Sequence, residues 1–210
     1  MPIFKYKKYE NEVHLAVWQI TESHDELLSL LPSTILTDAE LASIAHPQKQ
    51  VEFFCSRLCI SYLAKQIGFR YLGIKKDEYG KPFLVGSDWQ MSLTHTTKFV
   101  AVVMHPTKSL GIDLEKPNPK LLKIGNRLFS DNEMDFVGYD LDKLCMLWSA
   151  KEALYKLYGK RGIFFRENLF VDEFDLKNMT SNARIEIGGW ASKHQLLIEQ
   201  IEEFWMVIAI

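Results

Sequence analysis

The sequence predicts an α+β fold in which most strands pair as antiparallel hairpins. Several short runs rich in β-branched and aromatic residues follow one another with turn signals between them. Two long segments instead carry apolar residues at helical spacing. The glycine signatures of Rossmann and P-loop nucleotide sites are missing from the sequence, as is any low-complexity linker.

Caps and apolar periodicity define the predicted helices. Two capping-box patterns, Thr37–Glu40 and Ser130–Glu133, each open a helix. A long helix is expected from about Gln48 to Ile67, where Gly68 stops it. Another covers roughly Leu141–Tyr158 and ends at Gly159.

The predicted strands account for most of the remaining chain. They are Val13–Ile20, Met91–Thr94, Phe99–Met104, Ser109–Lys116, Leu169–Phe174, Ala183–Ile187, His194–Ile201 and Phe204–Ile210. Composition alone predicts a turn at Tyr79–Pro82. Pro117 and Pro119 end the strand that precedes them because proline cannot continue a ladder.

Composition narrows the functional classes. The 210-residue chain is 47% hydrophobic and has a formal net charge of −2, so it can bury a substantial core and has no positive field for nucleic acid. Cys55, Cys59 and Cys145 lack metal-ligand spacing and are interpreted as buried thiols of a reducing compartment. Neither a signal-peptide pattern nor a bilayer-spanning apolar run is found. We therefore expect a cytoplasmic protein without nucleic-acid or membrane partners.

The segment Gly111–Glu115 places two carboxylates close together on a predicted strand. Alternate side chains point to opposite faces, so Asp113 and Glu115 share one face and the leucine and isoleucine side chains share the other. Adjacent carboxylates repel each other unless a cation or a proton lies between them. Such ligands suit Mg²⁺ bound against phosphate, although a solvated polar face would give the same pattern.

The segment Trp148–Lys156 places a third carboxylate and a lysine on a predicted helix. A core-facing stripe runs along this helix at helical spacing. Its members are Leu147, Ala150, Leu154 and Leu157. Trp148, Glu152 and Lys156 are four residues apart and form a second stripe beside it. The alternative for Glu152 and Lys156 is an exposed ion pair that stabilises the helix slightly.

Both segments resemble the signatures of the 4′-phosphopantetheinyl transferases, in particular the larger, monomeric class that serves carrier proteins. The family's signatures have the forms G-[IV]-D-[IVL]-E and W-[ST]-x-K-E-A-x-x-K, and both are complete here. Upstream, Arg57, Tyr79–Pro82 and Ser92–His95 follow in the family's order. The resemblance covers about residues 57–162.

The resemblance implies two similar α/β subdomains related by a pseudo-twofold axis. We place the divide near Pro106. This gives an N-terminal subdomain of residues 1–106, which grips the coenzyme, and a C-terminal subdomain of residues 107–210, which carries the metal-binding carboxylates. The halves show no convincing sequence repeat.

The resemblance also implies a reaction. The 4′-phosphopantetheine group of coenzyme A would pass to a serine of an acyl or peptidyl carrier protein, releasing adenosine 3′,5′-bisphosphate. Asp113, Glu115 and Glu152 would hold Mg²⁺, and Mn²⁺ accepts the same ligands. Glu152 is the candidate general base, while Lys156, helped by Lys151, would bind the pyrophosphate.

Further residues are expected to bind coenzyme A by the same resemblance. They are Arg57, Lys81, Pro82, Thr94 and His95. A guanidinium binds phosphate in a bidentate way and an imidazole can donate to it. Each of these residues also has an ordinary structural explanation, such as a surface arginine whose stem covers apolar area.

Glu133 has two interpretations. The family often has a glutamate here, near the metal and the attacking hydroxyl, which makes Glu133 a candidate catalytic residue. The pattern Ser130-x-x-Glu133 is equally a complete capping box, which explains the glutamate without catalysis.

A basic rim is the expected docking surface for an acidic carrier. Its members are Lys120, Lys123, Arg127, Lys160, Arg161 and Arg166. Two rival functions remain open at this stage. One is another Mg²⁺-dependent phosphoryl-transfer enzyme, such as a nuclease, and the other is a non-catalytic module that binds coenzyme A or a carrier.

Overall fold

The computed structural model describes residues 3–31 and 39–210, which divide into two compact units. The first contains the described residues up to Lys76 together with Pro82–Thr107, and the second contains Asp77–Lys81 and Lys108–Ile210. The mixed α/β class is confirmed. The functional division into 1–106 and 107–210 and the pseudo-twofold relation remain predictions, but the segment Asp77–Lys81 lies in the second unit rather than the first.

The first unit is a four-stranded antiparallel sheet with one long helix. Its elements are β1 (Ile3–Lys8), β2 (His14–Gln19), α1 (His24–Leu30), α2 (Ala39–Ala42), α3 (Pro47–Ile67), β3 (Ile74–Lys76), β4 (Pro82–Leu84), β5 (Gln90–His95) and β6 (Phe99–His105). The sheet order is β1-β2-β6-β5, and β3 pairs with β4 in a separate hairpin.

Helix α3 packs on β2 and β6 and supplies much of this unit's core, with Phe54, Cys59 and Leu63 fully or almost fully buried. It ends at Gly68, whose φ of 100° is a left-handed conformation that glycine adopts at little cost. The prediction for this helix is confirmed. Strand β1 and helix α1 were not predicted, although Ser23 and Glu26 form a capping box at the start of α1. Of the predicted Thr37–Glu40 cap, Thr37 and Asp38 lie outside the described residues.

The second unit is a five-stranded antiparallel sheet. Its elements are β7 (Gly111–Glu115), α4 (Lys120–Leu128), α5 (Asp131–Val137), α6 (Leu141–Tyr158), α7 (Phe165–Asn168), β8 (Leu169–Val171), β9 (Thr180–Ile187), β10 (Trp190–Ile201) and β11 (Phe204–Ala209). The strand order is β7-β11-β10-β9-β8. None of the described helices of either unit is both long enough and apolar enough to cross a membrane.

Helix α6 lies against β7 and β11 and has the predicted bounds. Asp140 caps its start by accepting hydrogen bonds from the backbone of Asp142 and Lys143. The predicted core stripe is confirmed, since its four side chains are buried. At Gly111 the strand touches the helix so closely that a Cβ would lie 1.9 Å from the carbonyl oxygen of Ala153. This glycine therefore sets the distance between β7 and α6.

Candidate active site

Strand β7 and helix α6 bring the three predicted carboxylates near one another. Burial, together with the charges of Asp113 and Glu115, raises the pKa of Glu152 to about 7 against the opposing charge of Lys156. Burial and the charge of Asp113 also raise the pKa of Glu115. A hydrogen bond from Trp148 and the charge of Lys156 partly offset this rise. Negative charge is thus concentrated in one partly buried place.

Lys156 is the cation of this carboxylate group. Its Nζ donates to Asp113 Oδ1 at 2.8 Å and to the backbone oxygen of Ile112 at 2.9 Å. The Lys156 side chain is 29% exposed and that of Asp113 is 6% exposed. One ammonium cannot balance three ionised carboxylates, so the group carries an excess of negative charge.

A divalent cation fits the chemistry of this donor set. Within residues 3–31 and 39–210, no group of three His, Cys, Asp or Glu side chains is arranged so that it could hold a metal ion. The three side chains nevertheless offer hard oxygen ligands whose mutual repulsion a cation would relieve. Asp113, Glu115 and Glu152 stay the predicted residues that would hold Mg²⁺.

Glu133 and Lys151 form a separate, fully buried ion pair. Lys151 Nζ lies 2.7 Å from Glu133 Oε2, and the two side chains are 0% and 2% exposed. The same lysine donates to the backbone oxygens of Leu128 and Phe165 at 3.2 and 2.8 Å. Burial lowers the pKa of Lys151, and Glu133 counters this.

The Glu133 carboxylate has several donors besides Lys151. Its Oε2 accepts from the backbone and hydroxyl of Ser130 at 2.7 and 2.9 Å, and its Oε1 accepts from the backbone of Val171 at 2.9 Å. The capping box predicted at Ser130 is confirmed. These contacts explain Glu133 and Lys151 as a structural pair. The catalytic role of Glu133 and the coenzyme contact of Lys151 stay predictions without support from this geometry.

Comparison with known proteins identifies a superfamily that part of the chain resembles. Residues 109–205, which contain both signatures, match the sequence model of the 4′-phosphopantetheinyl transferase superfamily. The matched residues make up just under half of the chain, and in this part the chain is similar to that superfamily. The match confirms the resemblance found in the sequence.

Two curated relatives match the chain in part. A 4′-phosphopantetheinyl transferase of Bacillus subtilis is 31% identical over 105 residues, which cover 46% of this chain and 46% of the relative. The 4′-phosphopantetheinyl transferase Sfp of Bacillus subtilis strain 168 is 35% identical over 89 residues, covering 40% of this chain and 39% of Sfp. The chain thus spans less than half of the length of these relatives.

Lys81 contacts helix α6, which carries Glu152. Its Nζ donates to Ser109 Oγ at 2.7 Å and to the backbone oxygen of Leu157 at 2.9 Å. Leu157 lies in the last turn of α6, where carbonyl groups attract cations. Burial lowers the pKa of Lys81, while Asp77 raises it. The predicted coenzyme ligand is therefore also a capping cation for α6.

The other predicted coenzyme ligands lie in the first unit. The guanidinium of Arg57 is 4.0 Å from the ring centre of Phe53, and Arg57 is only 5% exposed. Thr94 is buried on β5, and His95 ends that strand with a partly exposed ring. Pro82 is the first residue of β4. Their coenzyme contacts remain predictions.

Sequence reasoning missed two residues that hold predicted ligands in place. Glu52 contacts His95 in the first unit, and Ser109 contacts Lys81 in the second. A glutamate within the apolar run of α3 is a signal that could have identified Glu52, since buried charges require partners. Ser109 gives no such signal, because surface serines are common.

Proposed function

We propose that this protein transfers the 4′-phosphopantetheine group of coenzyme A to a serine hydroxyl of an acyl or peptidyl carrier protein. The observation that carries the proposal is the convergence of Asp113, Glu115 and Glu152 beside Lys156, within the part of the chain that matches the superfamily. The larger, monomeric class with holo-acyl-carrier-protein synthase activity, acting in the cytoplasm, is the form of the enzyme that we infer.

In this mechanism the serine oxygen attacks the phosphorus that bears the pantetheine. The bond from that phosphorus to the oxygen of the leaving adenosine 3′,5′-bisphosphate breaks. Glu152 accepts the serine proton, directly or through a water. Lys156 contributes positive charge to the pyrophosphate oxygens.

The three carboxylates of the site would hold Mg²⁺ or Mn²⁺. A bound ion would neutralise the negative charge that develops on the leaving group. Asp113 contacts Lys156 directly, so it also orients the lysine toward the same place.

The remaining predicted contacts with coenzyme A involve its phosphate groups. We assign Arg57 and His95 to the 3′-phosphate, with Thr94 and Pro82 shaping their surroundings, because a guanidinium and an imidazole are phosphate donors. Lys81 contributes charge at the end of α6. Glu133 and Lys151 form a buried pair with a structural role, and the predicted catalytic role of Glu133 and coenzyme contact of Lys151 are kept as predictions.

The carrier is proposed to dock on the basic rim. On α4, Lys120, Lys123 and Arg127 are exposed and follow helical spacing. Lys160 and Arg161 are exposed as well. Arg166 has a structural role in addition, since it donates to two backbone oxygens and to Asp131. Positive charge here favours an acidic carrier and increases its association rate.

Intact-mass spectrometry of an apo-carrier panel tests the proposal. Each carrier is incubated with the protein, coenzyme A and Mg²⁺, with an EDTA-treated sample as control. We expect a gain of one phosphopantetheine on serine that EDTA abolishes. Binding of coenzyme A without transfer to any carrier would favour the non-catalytic module, and cleavage of nucleic acid under the same conditions would favour the nuclease.

A further inference from the structure

A buried glutamate of the first unit contacts one of the proposed phosphate ligands. Glu52 is 3% exposed on α3, between apolar neighbours. A carboxylate in such surroundings is costly unless charged or polar groups pair with it. The structure supplies two partners: Lys49 Nζ at 2.6 Å and His95 Nδ1 at 3.3 Å, both from Glu52 Oε2.

The two partners of Glu52 differ in their exposure and in the element from which they come. Lys49 lies one turn earlier on the same helix and its side chain is 60% exposed, so it is a flexible partner. His95 comes from another element, the end of β5, where its backbone pairs with Val100 of β6. Its side chain is 40% exposed, which leaves ring surface accessible to a ligand. The contact with Glu52 therefore restrains the orientation of the His95 ring at the end of this strand.

We propose that Glu52 is a positioning residue that orients the His95 ring for binding the 3′-phosphate of coenzyme A. A carboxylate that accepts from Nδ1–H fixes the ring orientation, and in the protonated ring the Nε2–H at the opposite edge is then directed outward to donate to a phosphate. This inference rests on the proposed function, because the phosphate at His95 is the coenzyme's. It adds a specificity determinant for coenzyme A over its 3′-dephospho form.

The test compares Glu52→Leu with Glu52→Gln. Leucine fills a similar volume without an acceptor, whereas glutamine keeps an oxygen that accepts from Nδ1–H. Calorimetry measures binding of coenzyme A and of 3′-dephospho-coenzyme A. We expect Glu52→Leu to lower the preference for coenzyme A by about tenfold, in keeping with loss of an oriented hydrogen bond to a charged group. Glu52→Gln should retain most of it.

Lys49→Met is the matched control. It removes the other partner of Glu52 and leaves the His95 contact in place, so the preference should stay within about twofold of wild type. If Lys49→Met and Glu52→Leu reduced the preference for coenzyme A equally, the proposal would be overturned. The effect would then come from the local charge and not from the orientation of the His95 ring. When His95→Gln is already present, adding Glu52→Leu should not change the preference for coenzyme A further. A full additional loss of that preference would also contradict the proposal.

Nitrogen NMR of the His95 ring separates this inference from the proposed function. At alkaline pH, wild type and Glu52→Gln should carry the ring proton on Nδ1, whereas Glu52→Leu should lose that preference. This signature needs neither carrier nor turnover. Should the protein transfer no phosphopantetheine, the tautomer would still report on the Glu52–His95 link. An unchanged tautomer in Glu52→Leu would refute the link even in an active enzyme.

Discussion

Two lysines of helix α6, five residues apart, form ion pairs in very different surroundings. Lys151 and Glu133 are completely enclosed, and both ends of the pair have additional hydrogen-bond partners. In the second pair Lys156 is partly exposed although Asp113 is buried, and two further carboxylates with raised pKa values lie nearby.

The difference separates a structural pair from a chemical one. In the Lys151 pair, one positive and one negative charge balance and their hydrogen bonds hold neighbouring segments in place. Around Lys156, negative charge exceeds positive charge where solvent can still enter. Such excess charge is unfavourable for folding and favourable for binding a cation, which is why perturbed groups mark functional sites.

The largest expected effect is the loss of transfer in Glu152→Gln. We expect the transfer rate to fall by about 10⁴-fold, because the substitution removes both the candidate base and a proposed metal ligand. Intact-mass measurement of carrier modification over time gives the rate. Asp142→Asn, on the same helix and bonded to the Trp205 indole at 2.7 Å, is the control and should retain activity within about twofold. Near-normal turnover by Glu152→Gln would remove the assignment.

The buried pair should give the largest effect on stability. Lys151→Met leaves the Glu133 charge enclosed without its cation, which we expect to cost about 3–5 kcal/mol in the free energy of unfolding. Urea denaturation measures the loss. Adding Glu133→Gln removes the uncompensated charge and should restore a large part of the stability. If Lys151→Met alone unfolds at the wild-type urea concentration, the pair is not structural.

Gly111→Ala tests the spacing that brings the two regions together. The added Cβ meets the Ala153 carbonyl, so β7 and α6 must separate, at an expected cost of about 2–3 kcal/mol. Because Asp113 moves with β7, transfer should slow as well. Gly125→Ala on α4 is the control, since its new Cβ meets the flexible side chain of Met134 at 3.3 Å. It should leave stability unchanged or raise it by up to about 1 kcal/mol, and similar losses for both variants would contradict the spacing argument.

The smallest stability effect is expected for Lys156→Met. The exposed Lys156 side chain leaves solvent access to one end of this pair, so the loss in the free energy of unfolding should be smaller than the about 3–5 kcal/mol expected for Lys151→Met. The KM for coenzyme A should rise instead, because the proposed pyrophosphate contact is lost. If Lys156→Met lowered the free energy of unfolding as much as Lys151→Met, Lys156 would also have a mainly structural role, contrary to the comparison.

Local patterns predicted much of the fold. Helix α6 has the predicted bounds because its cap, its apolar stripe and Gly159 all act within a few residues of one another. Strand β7 was predicted from alternation. Strand β1 was missed since its alternation is interrupted by lysines, and its pairing with β2 comes from tertiary structure.

The site was predictable only as far as residue type and spacing allow. The signatures identified Asp113, Glu152 and Lys156, which the structure brings close together. They did not reveal that Lys151 donates to the backbone oxygens of Leu128 and Phe165, because those partners lie outside the signature. The contact between Glu52 and His95 joins two elements and was equally invisible to local patterns.

The most direct test of the central claim is Mn²⁺ binding measured by electron paramagnetic resonance in the presence of coenzyme A. We expect one bound Mn²⁺ per chain in the wild-type protein and in Asp142→Asn. Mn²⁺ binding should be abolished in Asp113→Asn and in Glu152→Gln. Unchanged Mn²⁺ binding in Glu152→Gln would contradict the claim that the strand and helix carboxylates together form one cation site.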